Sequence, residues 1–82
     1  MKKLFKITTS SNERVNEALQ GKLFQVWNCF DENGDNVVKL LNSNEEVIMT
    51  TSRLVNYTKD NNNNIVAKTS NSLYVFELVG NF

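Results

Sequence analysis

The chain contains no histidine, no proline, a single cysteine and only three glycines in 82 residues. Without histidine there is no imidazole to activate a serine or cysteine nucleophile, to bind a metal through nitrogen, or to shuttle protons near neutral pH. Without proline, an exposed sheet edge must be managed by closure or covering rather than by a residue that removes a donor. The lone Cys29 excludes an internal disulfide, points to a reducing, cytoplasmic setting, and reads as a small hydrophobe. Gly21, Gly34 and Gly80 are isolated from one another, so there is no phosphate-cradling loop.

Charge of one sign is also missing. Nine Lys plus Arg balance nine Asp plus Glu, which excludes the basic excess of a general nucleic-acid binder and the acidic excess of a DNA mimic. Long apolar runs are absent as well: no segment approaches the ~20 residues of a membrane span. The opening MKKLFKITT starts basic, but Lys6 and the threonines cut its apolar run below that of an export signal. Asn56-Tyr57-Thr58 fits the glycosylation pattern only by coincidence in a cytoplasmic chain. The length reads as one domain over 1–82, burying roughly 60% of its unfolded surface.

What the chain does have is asparagine, with 14 in the row, a composition that fits AT-rich coding. The densest polar stretch is CFDENGDNVV, residues 29–38. A calcium loop counted from Asp31 finds Asn33 and Asp35 in place, but Asn36 where glycine is needed and Asn42 where a bidentate glutamate is needed. The flanks KLFQVWNCF and NVVKLL are aromatic and β-branched, so Asn33-Gly34 reads instead as a two-residue hairpin turn. Pairing outward from it sets Glu32 against Asp35, Asp31 against Asn36, Phe30 against Val37, Cys29 against Val38 and Trp27 against Leu40. Neither a metal nor a cofactor is expected, weak cation binding at the acidic tip being the lesser alternative.

The rest of the chain is punctuated in the same way. KKLFKITT predicts a strand with Phe5 and Ile7 on one face and Leu4 and Lys6 on the other. Ser10 and Glu13 form a capping-box pattern, and NERVNEALQG places Val15, Ala18 and Leu19 at helical spacing before Gly21. VIMTT, RLVNYTK, IVAKT and SLYVFELV read as strands, with DNNNN at 60–64 a tight or bulged hairpin. The last strand is apolar on both faces, Tyr74, Phe76 and Leu78 against Leu73, Val75 and Glu77, and so should be central or doubly covered. The fold class is α+β, mostly antiparallel β, a small barrel or strongly bent sheet with one short helix in the order β-α-β-β-β-β-β.

The layout of MKKLFKI, ALQGKLFQV, TTSRLVNYT and IVAKTSNSLYVFEL, with its Thr-Ser before an alternating strand and its Thr-x-Asn-Ser-x-Tyr hairpin, resembles small uncharacterised accessory proteins of phages and mobile elements in low-GC bacteria. That resemblance implies an SH3-like barrel or similar small β-fold. It also implies an inhibitor of a host defence, as anti-CRISPR proteins are, acting in the bacterial cytoplasm. It carries over no functional residue.

From the residues themselves, catalysis ranks last. Asp31, Glu32, Asp35, Glu45, Glu46 and Asp60 all fall in turns, where solvation keeps carboxylates ionised. A non-catalytic protein-binding module ranks first, with Arg53 and Tyr57, four apart on one strand and so on one face, as the best anchors. Single-stranded nucleic acid is the alternative partner. Phe24, Trp27, Phe30, Tyr57, Tyr74 and Phe76 supply rings, and Arg53, Lys59 and Lys68 supply cations near Tyr57, although most of those rings are needed for the core. A homodimer through edge pairing, or through the tail VGNF ending at Phe82, is a further option.

Overall fold

The computed structural model describes residues 2–81. Its elements are β1 (Lys3–Ser10), α1 (Glu13–Leu19), β2 (Gln25–Phe30), β3 (Asn36–Leu41), β4 (Val47–Thr50), β5 (Leu54–Lys59), β6 (Ile65–Thr69) and β7 (Leu73–Asn81). The class is α+β and mostly antiparallel, with seven strands among the described residues where the sequence order predicts six. They do not close into one barrel. A four-stranded sheet in the order β1-β7-β6-β5 lies against a three-stranded sheet in the order β2-β3-β4. Among the described residues a single antiparallel bridge, Phe5 to Phe24, links the two.

Alternation along the strands builds the core. Phe5 on β1, Val38 and Leu40 on β3, Ile65 and Ala67 on β6, and Tyr74 and Phe76 on β7 are buried together with Phe24 and Leu19. Strand β7 is central, between β1 and β6, and so takes apolar residues on both faces. Only one face is covered, however: Leu73 and Val79 remain exposed on the other. The helix has only 7 residues, too few to hold alone in water. It is fixed by burying Leu19 and half-burying Val15, one helical turn apart. Its N-cap is Asn12, whose side chain accepts from Arg14 N and Val15 N at 3.1 and 3.3 Å. Ser10, expected to cap, instead accepts from Asn12 N and so orients the capping residue.

The hairpin register corrects the sequence reading by one residue. Phe30 pairs with Asn36, Cys29 with Val37 and Trp27 with Lys39, rather than with Val37, Val38 and Leu40. A two-residue turn of the kind expected needs positive φ at both central residues, whereas only Gly34 has it, at +81°. The loop is a turn closed by Gly34 N donating to Asp31 O at 3.1 Å, followed by one left-handed residue. Asp31 Oδ1 drives this by accepting from both Asn33 N and Asp35 N at 2.9 Å. The same device recurs twice. Asn42 accepts from Asn44 N and Glu46 N with Glu45 at φ +65°, and Asp60 accepts from Asn62 N and Asn64 N with Asn63 at φ +64°. In all three the first residue is Asp or Asn because its short side-chain oxygen reaches two backbone donors further along the loop.

Phe82, named above as the end of an apolar tail, lies outside the described residues.

Candidate functional site

Next to the Phe5–Phe24 bridge lies a groove of about 360 Å³, lined from β1, β2, β5 and β6. The lower range of ligand pockets begins at ~300 Å³. Phe5, Val26 and Ile65 contribute apolar lining, and Trp27 and Tyr57 contribute rings. Lys2, Lys3, Lys59 and Glu45 supply the charges. Two of the repeated hairpin loops adjoin this groove, since Glu45 belongs to one and Lys59 immediately precedes the other.

The charges are not equivalent. Lys2 Nζ is held by Ser43 O at 2.7 Å and by Glu45 at 3.8 Å. This is the one ion pair among the described residues, and an exposed pair of this kind is worth about 0–1 kcal/mol. Lys3 and Lys59 are exposed and form no ion pair with any described residue. Trp27 is 49% exposed, and Lys39 stands opposite it on β3. Tyr57 is half-buried against the core, and that burial raises its phenol above the ordinary value of 10.0, so the ring is neutral at physiological pH. The groove therefore joins two rings to two uncommitted ammonium groups, an arrangement that receives an anionic group flanked by an apolar or planar one.

Of the two anchors expected from sequence, Tyr57 is in this groove and Arg53 is not. Leu54 pairs with Thr69 but Asn56 with Lys68, so a bulge at Val55 breaks the alternation on which a shared face depended. Arg53 precedes β5, is exposed, and its carbonyl accepts from Ser70 N at 2.9 Å. Lys68 lies opposite Asn56, whereas Lys59 joins Tyr57 in the groove. Among the six rings considered, Phe24, Tyr74 and Phe76 are core, whereas Trp27 and Phe30 are exposed. Sequence reasoning missed Lys2 and Lys3, which reach the site only through the pairing of β1 with distant segments. Their signal in the sequence is the doubled lysine that immediately precedes the apolar run of the first strand.

The carboxylates sit in turns as expected. Asp31 and Asp60 are occupied in holding their own loops, and no group of three or more metal-ligating side chains occurs among the described residues. No helix there is long and apolar enough to cross a membrane. A second groove, of about 310 Å³ between β1 and α1, has Glu17 as its only charged lining residue and no aromatic ring. Compared with protein-family models, with curated proteins and with solved structures, the chain matches none.

Proposed function

We propose that the chain is a non-catalytic protein-binding module whose groove receives an acidic segment of a partner, a carboxylate flanked by an apolar or aromatic side chain. The observation that carries this reading is the placement of Lys3 and Lys59 beside Trp27 and Tyr57 on a molecule whose net charge is zero. Buried or half-buried aromatic anchors surrounded by a charged rim are the usual sources of affinity at small interfaces. The resemblance to phage accessory proteins extends the proposal to an inhibitor of a host defence protein such as a CRISPR effector, acting in the bacterial cytoplasm.

Two rings beside lysines also favour single-stranded nucleic acid as a second reading. Magnitude ranks it lower. Two uncommitted ammoniums correspond to a slope of only about −1.4 in log affinity against log salt for a single strand. That leaves too few phosphate contacts for nucleic-acid affinity at physiological salt.

The two readings separate by titration of Trp27 emission, with a peptide carrying Glu and Phe in one arm and oligothymidylate in the other, across a salt series. The expected result is a saturable change with the peptide, lost in Lys3→Glu/Lys59→Glu. A response to the oligonucleotide alone would overturn the protein-binding reading and put nucleic acid in its place.

A further inference from the structure

Strand β2 is an open edge with opposite charge at its two ends. It forms one side of the three-stranded sheet, and beyond the bridge at Phe24 no described strand pairs with its outer side. Its residues Gln25–Phe30 carry no charge and no proline, the usual means by which an edge is protected from pairing. Trp27, at the basic groove, lies near the start of the strand. At the other end stands the hairpin tip with Asp31, Glu32 and Asp35, and Asp31 is about 13 Å from Trp27 for four extended residues. Beside them Phe30, at 71%, is the most exposed large apolar side chain among the described residues.

That order of features is self-complementary. A two-fold axis normal to the sheet would set the two β2 strands antiparallel. The acidic tip of each copy would then lie against the basic groove of the other, and the contact would be made twice. A copy docked this way closes the interface, as the commonest soluble oligomers do, and leaves nothing to extend a filament. We propose that a second copy of this chain docks on the β2 edge, merging the two three-stranded sheets and filling each groove with the other copy's acidic hairpin tip. The inference rests on the reading of the groove as a receptor for acidic groups, and it makes the second copy a competitor of any acidic partner.

The test is a charge swap followed by light scattering on the full chain at low salt. Wild type should be a dimer that dissociates as salt rises or as the Glu- and Phe-containing peptide is added. Glu32→Lys/Asp35→Lys and Lys3→Glu/Lys59→Glu should each be monomeric, because tip and groove then repel. Their equimolar mixture should restore a dimer that grows no further. Glu32→Gln/Asp35→Asn, which removes charge without adding any, should weaken the dimer in the same direction and guards against a folding defect in the lysine variants. A wild type that is monomeric at every concentration, a dimer unaffected by both reversals, or a mixture that extends beyond two copies would each overturn the inference. Peptide titration of the monomeric Glu32→Lys/Asp35→Lys protein, whose groove is intact, reports separately on the groove. Binding there beside a monomeric wild type sinks the dimer and leaves the proposed function standing.

Discussion

Phe5 and Phe24 hydrogen-bond each other's backbone in both directions, at 2.7 and 3.0 Å, and this bridge joins the two sheets. Phe24 is also fully buried, with its ring edge-on to Phe76 at a centroid distance of 5.6 Å. A residue outside any long strand thus holds together both the core and the mouth of the groove.

Phe24→Ala should therefore cost about 3–5 kcal/mol, the usual range for deleting a buried phenylalanine. Small domains have only ~5–15 kcal/mol in total, so urea denaturation should show a midpoint lowered by a large fraction or no cooperative transition at all. Phe24→Leu, which keeps most of the volume, should retain a cooperative transition. Equal stability of Phe24→Ala and wild type would mean that the sheets are held together elsewhere.

The three repeated loops give a pair of substitutions with opposite signs. Gly34 at φ +81° has nothing within 4 Å of an added Cβ, so Gly34→Ala meets backbone strain without steric clash. The left-handed region costs an ordinary residue about 1–2 kcal/mol, and the urea midpoint should fall accordingly. Glu45 already carries that strain at φ +65°. Glu45→Gly should hold or raise stability even though it removes the exposed ion pair to Lys2. Asp60→Asn should be silent, because Asn42 fills the equivalent role with an amide oxygen, while Asp60→Ala should lose about 1 kcal/mol as two backbone donors lose their partner.

These loops also mark where the sequence could and could not be read. Alternation in SLYVFELV is sufficient to sort Tyr74, Phe76 and Leu78 onto one face, and IVAKT reads as a strand, but with apolar residues on both faces of the last strand the pattern does not say which face the core covers. The Asn33-Gly34 pair correctly announced a hairpin but misreported its register. The positive φ at Gly34 alone, and the bonds from Asp31, select a three-residue loop over a two-residue one, which shifts every pairing by one. The cap moved from Ser10 to Asn12 for a similar reason, since several short polar side chains there compete for the same donors. The groove was the least legible feature. The sequence puts Lys59 near Tyr57, but Lys2 precedes β1, Lys3 lies on it and Trp27 lies on β2. Only the long-range bridge at Phe24 brings those strands alongside, and no local pattern encodes it.

Tyr57 supplies a pH prediction. Its folded phenol is raised above 10.0 by burial, so the folded state holds that proton more tightly than the unfolded chain does. The resulting stability is fully present below pH 10 and is lost as pH rises through the folded value. In a Tyr74→Phe background, where Tyr57 is the only tyrosine, the phenolate absorbance should appear above its ordinary pH and return to that pH in denaturant. A titration unchanged by denaturant would show that Tyr57 is not buried in solution.

Thr51 and Val38 make the tightest test of the three-stranded sheet. Val38 N donates to Thr51 Oγ1 at 3.0 Å while Thr51 N donates to Val38 O at 2.9 Å. Both residues are buried, so neither N–H has water as a substitute. Thr51→Val preserves the shape but removes the oxygen, leaving the Val38 N–H unsatisfied at a cost of about 1–3 kcal/mol. Thr51→Ser keeps the acceptor and gives up one methyl group, which is worth about 1 kcal/mol or less. Thr51→Val should therefore be the less stable of the two despite being the more apolar, an order that hydrophobic burial alone would reverse. Hydrogen exchange at the Val38 amide should accelerate in Thr51→Val and remain slow in Thr51→Ser, locating the loss at that bond.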